Sequence, residues 1–286
     1  MAGSVARRFR CRVSLCALLG FAVAGSLAAQ GQSAEPPISP EPGSELTISI
    51  LTMGVGAEVW ERFGHNAIVV EDHAQGTSIA YNYGMFSFTQ ENFVLRFVQG
   101  RMMYWMEGFE TDRDVARYVR RKRSVWQQEL DLTPTQRLAM RDALERNALD
   151  ENKYYRYDYY LDNCSTRVRD AVDRILDGAI ERQSRMPGRG SFRFHTQRLN
   201  THNLPLYSGL MLLLGGTADR PITRWEEMFL PLKLRDYLRE IRIPDSAGGF
   251  KPLVRSERVV FESDAFPVPE APPRWFPGFL ARGLGL

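Results

Sequence analysis

The sequence predicts an α+β domain built on an antiparallel sheet. Three observations carry that expectation. Strand patterns crowd together early, at 46–52, 65–71 and 78–83, and a short turn at 72–76 joins the last two as a hairpin. Amphipathic helical patterns at 135–148 and 163–176 come later, rather than alternating with the strands. No segment repeats, and the 286 residues allow one domain of roughly 200 residues plus appendages, enough for a core without disulfide staples.

The elements follow in order. Leu46 to Thr52 alternates as a half-buried strand does, and Gly54 and Gly56 then form a loop. His65 to Glu71 and Ser78 to Tyr83 are the hairpin strands, the second closing at Gly84. Gln90 to Phe97 reads as a helix with Phe93 and Phe97 on one face, and Arg101 to Met106 as an apolar strand. Thr111 to Lys122 opens on Thr-Asp and ends in basic residues, the polarity that a helix dipole favours. Val125 to Leu132 is a strand. Thr133 caps, and Pro134 opens, a helix running through Thr135 to Ala148. Tyr154 to Tyr160 reads as a tyrosine-rich loop. Asn163 to Leu176 is helical, with an apolar stripe of Val168, Val172, Ile175 and Leu176 and a C-cap at Gly178. Gly188 to Gly190 marks a turn. Leu204 to Leu214 and Ile222 to Leu238 read as helical pieces broken at Gly215-Gly216 and Pro231. The domain is placed at 45–240, and 241–286 as an extension, rich in proline from Pro267 onward.

The N-terminus has the pattern of an export signal. Arg7, Arg8, Arg10 and Arg12 precede an uncharged apolar stretch from Val13 to Leu27, and Ser26-Leu27-Ala28 supplies small residues for cleavage. Residues 1–28 are therefore expected to be a signal peptide, with an uncleaved anchor as the alternative, and 29–44 a flexible linker. The later stretch Leu204 to Leu214 is too short to span a bilayer and contains Pro205, Ser208 and Gly209. Without the leader's four arginines, 33 basic residues face 34 acidic ones, so the charge gives no argument for nucleic acid.

Past the leader, which holds Cys11 and Cys16, one cysteine remains: Cys164, in Asp162-Asn163-Cys164-Ser165-Thr166. It has no partner for an intramolecular disulfide, so it is either a small buried hydrophobe or a thiol kept for its chemistry. It opens a helix, where unpaired N–H groups favour a thiolate and could hold an oxyanion. His65, at the start of a strand in Phe63-Gly64-His65-Asn66-Ala67, could serve as its base from the sheet face that the helix covers. Asn82, inward-facing with Ala80 and Ser78, is the best-placed group to fix the imidazole tautomer, and Asp162 is the alternative. Asn163, Asp162, Tyr160 and Tyr83 are candidates to contact substrate or an oxyanion. Taken singly, each residue is as well explained by packing.

The motifs read together are more specific. Phe63-Gly64-His65-Asn66-Ala67, Tyr81-Asn82-Tyr83-Gly84-Met85-Phe86-Ser87-Phe88, Asn92-Phe93, Phe97-Val98-Gln99-Gly100 and Asp162-Asn163-Cys164-Ser165-Thr166 resemble the DUF4105 family, the periplasmic domain of the Bacteroides-type lipoprotein N-acyltransferase. Gly216-Thr217-Ala218-Asp219 and Glu227-Met228-Phe229-Leu230-Pro231 extend the likeness, which covers roughly 45–240. That family is similar to circularly permuted papain-like proteins of the NlpC/P60 and lecithin–retinol acyltransferase type. The resemblance implies an antiparallel sheet packed against a nucleophile-bearing helix, with extra C-terminal helices. It also implies Cys164 as nucleophile, His65 as base and Asn82 as third group, although a second histidine often stands at that place in the permuted acyltransferases. The implied activity is transfer of an acyl chain from a phospholipid or the diacylglyceryl group of a lipoprotein to the N-terminal amine of a lipoprotein, or hydrolysis where water is the acceptor, in the periplasm, with peripheral membrane contact. The better-studied members carry a membrane-embedded portion that this sequence lacks. A cell-wall peptide amidase or cysteine peptidase, and a non-catalytic envelope binding module, are the alternatives.

Other features carry two readings each. Arg113, Arg117, Arg120, Arg121, Lys122 and Arg123 could meet phospholipid headgroups or form a solvated helix face. Met102, Met103, Tyr104, Trp105 and Met106 could line an acyl groove or belong to the core. Leu204 to Leu214 and Trp275 to Leu286 could rest on a bilayer or pack as core and tail. His73 falls in the hairpin turn. The spacing of His195 and His202 matches no metal site, so no metal and no cofactor are expected.

Overall fold

The computed structural model describes residues 41–87, 102–201 and 204–272. The leader, most of the linker, the helix expected at 90–97, the motifs at 92–93 and 97–100, His202 and the tail from Trp275 lie outside the described residues.

The strands are Leu46–Met53 (β1), His65–Asp72 (β2), Thr77–Met85 (β3), Met103–Glu110 (β4), Val125–Leu130 (β5), Tyr154–Arg156 (β6), Pro187–Ser191 (β7), Pro221–Thr223 (β8), Arg242–Pro244 (β9), Phe250–Pro252 (β10) and Val254–Phe261 (β11). The helices are Thr111–Arg120 (α1), Pro134–Ala148 (α2), Cys164–Ile175 (α3), Ala179–Gln183 (α4), Phe192–Leu199 (α5), Leu204–Leu213 (α6), Arg224–Glu227 (α7) and Pro231–Leu238 (α8). The main sheet is antiparallel, in the order β11-β5-β1-β2-β3-β4-β6. This is the expected α+β class, with a cysteine-bearing helix against the sheet and further helices beyond it.

Alternation explains why the sheet has two buried faces. Successive strand residues point to opposite sides. Leu46, Ile48, Ile50, Ile68, Val70, Tyr81 and Tyr83 therefore meet Val168 and Val172 of α3 and Met140 and Leu144 of α2 in one core. Leu51, Met53, Ala67, Val69, Ala80 and Val125 form the other, against Val115 and Tyr118 of α1. Each aliphatic side chain so buried contributes about 1.5–3 kcal/mol. α2 begins as the sequence predicts, with Thr133 Oγ1 accepting the Gln136 N–H and Pro134 in the first turn.

Several expectations need correcting. The tyrosine loop contributes β6, because Tyr154 to Arg156 pairs with the free edge of β4. Gly188 to Gly190 lies within β7, paired to β8, so residues 222–223 are strand where helix was expected. Beyond 240, outside the limits placed on the domain, β11 hydrogen-bonds along β5 at the edge of the main sheet. His73 bonds Thr47 Oγ1 at 2.9 Å beside the turn. Among the described residues, no helix is long and apolar enough to cross a membrane.

Candidate active site

Local sequence fixes the start of α3. Asn163 is extended and its Oδ1 accepts the N–H groups of Ser165 and Thr166 at 2.8 and 2.9 Å, while Thr166 Oγ1 accepts the Asn163 N–H at 2.8 Å. This reciprocal cap makes Cys164 the first helical residue. Asn163 Nδ2 donates to the carbonyls of Tyr159 and Phe229, each at 2.9 Å, and Ser165 Oγ donates to the Met228 carbonyl at 2.7 Å. Asn163 is thus fully used as a cap and seat. The N–H groups of Ser165 and Thr166 at this helix start both donate to Asn163.

Cys164 is buried, 9% exposed, and its thiol lies close enough to the His65 imidazole for each to shift the other's ionisation. The imidazole does not come from the sheet face that α3 covers. His65 shares the parity of Ala67 and Val69, and its ring stacks on Tyr118 of α1, with centroids 6.1 Å apart. Thiol and ring meet at the rim of the sheet, because His65 is the first residue of β2 and β3 is bulged between Asn82 and Met85. Gly84 sits in that bulge with φ +89°. A Cβ there would stand 3.5 Å from Cys164 Cβ and 3.8 Å from both the Tyr155 hydroxyl and Tyr157 Cε2. The bulge needs a residue tolerant of positive φ, and the missing side chain leaves room beside Cys164.

His65 Nε2 lies 2.8 Å from Asn82 Oδ1. Asn82 Nδ2 donates to the Ala80 carbonyl at 3.1 Å and to Asp114 Oδ2 at 2.8 Å, so its carbonyl oxygen is the end that faces the ring. Nε2 is therefore the donor, which leaves Nδ1 for the sulfur. Asp114 is fully buried and pairs with Arg117. Sequence reasoning missed Asp114: an acidic residue in the first turn of a helix looks like ordinary dipole matching.

Burial alone would raise the Cys164 thiol, but the charge and hydrogen bond of His65 and the N–H groups of Asn66 and Ser165 outweigh it, so its pKa falls below 9.0. Burial alone would lower His65, but the Cys164 charge and hydrogen bonds to Cys164 and Asn82 raise it above 6.5, against the opposing charge of Arg123. The two shifts are mutual, each group favouring the charged form of the other.

The remaining candidates are placed elsewhere. Asp162 forms an ion pair with Arg167 at 2.6 Å, and Asn82, not Asp162, contacts the imidazole. The Tyr83 hydroxyl donates to Asn147 Oδ1, and the Tyr160 hydroxyl pairs with Thr196 Oγ1, each at 2.8 Å. The buried Tyr155 hydroxyl, by contrast, has no hydrogen-bond partner among the described residues, and Arg167 lies 3.6 Å over its ring. Tyr104 stacks on Tyr157 at 4.2 Å, Phe63 meets Tyr159 at 4.6 Å and Phe86 meets Tyr104 at 5.3 Å, an aromatic surround near the thiol. Met102 and Met106 are core. Of the basic cluster, Arg117 pairs with Asp114, and both Arg121 and Arg123 pair with Glu61.

A second buried polar cluster lies away from the sheet. His195 Nδ1 accepts from Arg198 Nε at 3.0 Å, and its Nε2 stands 3.0 Å from Glu227 Oε1. Glu227 also meets the Tyr237 hydroxyl and Lys233 Nζ, the latter at 3.3 Å. Burial pushes Glu227 up, but His195, Tyr237, Lys233 and the Arg189 N–H hold it down at about 2.

A family model described as the Lnb N-terminal periplasmic domain matches residues 42–199, more than half of the chain. No curated protein and no solved structure matches it.

Proposed function

Starting from a chain that belongs to the family of Lnb N-terminal periplasmic domains, we propose a cysteine-dependent acyltransferase of permuted papain-like type, acting on lipid in the periplasm. The observation that carries this reading is the chain of contacts Cys164–His65–Asn82, with the thiol lowered and the imidazole raised. A histidine strand preceding a cysteine helix fits the permuted order. The binding-module alternative requires Cys164 out of reach of His65, and their mutual electrostatic influence argues for the enzyme instead.

In the proposed reaction the Cys164 thiolate attacks an ester carbonyl of a phospholipid. The tetrahedral oxyanion collapses to a thioester as the C–O bond breaks, and His65 gives its proton to the departing alcohol. The α-amine of a lipoprotein's N-terminal cysteine then attacks the thioester. His65 Nδ1 takes the amine's proton, the C–S bond breaks, and the thiolate–imidazolium pair returns. Two donors suit the oxyanion: the N–H of Cys164 at the helix start and the buried Tyr155 hydroxyl beside Gly84. The aromatic surround favours an apolar acyl chain over a cell-wall peptide. Membrane contact is assigned to α6, a segment without charged residues on which Leu212 and Leu213 are 87% and 84% exposed.

The test is intact-mass analysis after incubation with phospholipid, followed by addition of a diacylated lipopeptide. The expected result is one acyl adduct on Cys164 that passes to the peptide amine and is absent from Cys164→Ala. Adduct formation without Cys164 overturns the thiol mechanism. Cleavage of cell-wall peptide with no lipid adduct replaces the acyltransferase with the amidase.

A further inference from the structure

The geometry points to Asp114 as a positioning residue that sets the tautomer of His65 through Asn82. A primary amide presents either its oxygen or its nitrogen to a neighbour, and the two ends differ little in shape. If Asn82 turned its Nδ2 towards the ring, Nε2 would have to accept. The neutral ring would then carry its proton on Nδ1, facing the sulfur, and could not take a proton from it. The Ala80 carbonyl, 3.1 Å from Asn82 Nδ2, is one partner opposing that turn. Asp114 is the stronger one. Its Oδ2 accepts from Asn82 Nδ2 at 2.8 Å, its side chain is fully buried, and an ionised carboxylate offers only acceptors. Its other oxygen is held by Arg117. A buried carboxylate facing Asn82 therefore admits one orientation of that amide. The geometry is built by packing α1 on the face of the sheet that carries Ala67, Ala80 and Val69, so that the helix delivers Asp114 to Asn82 and the Tyr118 ring to His65.

This inference rests on the Cys164–His65 reading but not on the nature of the substrate. Its test therefore reads thiol ionisation rather than acyl transfer. Besides His65, the charged and titratable groups that act on Cys164 are Arg123, Tyr118, Tyr155, Tyr157 and Tyr159, and none of them is changed in the variants.

The experiment is the pH dependence of iodoacetamide alkylation, followed on the Cys164 peptide by mass spectrometry, for the parent, Asp114→Asn and Asp114→Ala. In Asp114→Asn, Arg117 keeps the side-chain oxygen, so the new amide nitrogen faces Asn82 and drives its amide over. The midpoint of alkylation is expected to rise by about one pH unit or more. In Asp114→Ala the Ala80 carbonyl still holds Asn82, and the rise is expected to be smaller. That order is the signature. A merely structural Asp114 gives the reverse, because the cavity left by alanine disturbs the site more than an isosteric amide does. Equal profiles in parent and Asp114→Asn, or a larger rise in Asp114→Ala, overturn the proposal. Should Asp114→Asn not fold, the ¹⁵N resonances of His65 in Asp114→Ala decide: a mixture of tautomers supports the proposal, and a pure Nε2–H form overturns it. A parent thiol that titrates at its ordinary value refutes the Cys164–His65 pair itself, a different outcome from failure of Asp114.

Discussion

Asn82 Oδ1 stands 2.8 Å from His65 Nε2, and this contact between neighbouring strands gives the imidazole its direction towards Cys164. The proton is thereby kept on the nitrogen remote from the sulfur, the arrangement a base needs.

The first prediction concerns His65→Ala. In the parent, Cys164 should alkylate with a midpoint below pH 9.0, because the imidazole and two backbone N–H groups outweigh burial. Without the imidazole, burial is the largest influence left, and it acts upward. The alkylation midpoint should move above the ordinary thiol value, and a pH–rate profile on the Cys164 peptide measures it.

Tyr155→Phe removes a hydroxyl that has no partner among the described residues, so folding should be nearly unaffected. If the hydroxyl receives the oxyanion, acyl transfer should slow by about 10²–10³-fold. The alkylation profile of Cys164 should keep its midpoint. Single-turnover thioester formation separates the two readings, and an unchanged rate would leave the Cys164 N–H as the donor.

Glu227 makes stability depend on acid. Its folded pKa of about 2 lies below the ordinary 4.5, so its contribution is complete above pH 4.5 and is lost as pH falls towards 2. His195 acts in the same direction from higher pH. Burial depresses it below 6.5, with the Glu227 hydrogen bond opposing, so the unfolded chain gains its proton first as pH drops. Glu227→Gln should cost about 3 kcal/mol at neutral pH. It should also flatten the acid limb of a urea-melt series between about pH 5 and 2.5.

Leu212→Lys with Leu213→Lys tests the membrane assignment. Both residues are exposed, so the pair should fold as the parent does. Co-sedimentation with zwitterionic phosphatidylcholine vesicles, which offer the new lysines no net attraction, should fall about 5–30-fold, or about 1–2 kcal/mol in binding free energy. Equal binding would move the contact to another face.

The strands and the thiol helix were legible because their signals are local. Alternation marks β1 to β3, and Asn163 three residues before Thr166 marks a cap. The Cys164–His65 contact rested on a resemblance, since no spacing rule brings residues 65 and 164 together. Other features depend on what lies across the fold. β6 is three residues long and exists by pairing with β4. β11 reads Val-Arg-Ser-Glu-Arg-Val-Val-Phe, an edge strand with much of its length exposed, and its composition does not announce a sheet. Tyr83 and Tyr160 resemble Tyr155 in sequence. They differ in having Asn147 and Thr196 to bond, which no pattern along the chain reveals.

The seat of the thiol helix is made by residues far downstream. Asn163 reaches the Phe229 carbonyl, Ser165 the Met228 carbonyl and Arg169 the Trp225 carbonyl. Along the chain the sulfur therefore precedes by some sixty residues the segment that anchors its helix. A chain that folds from its N-terminus holds Cys164 without this mounting until residues 225–229 are available to receive its helix.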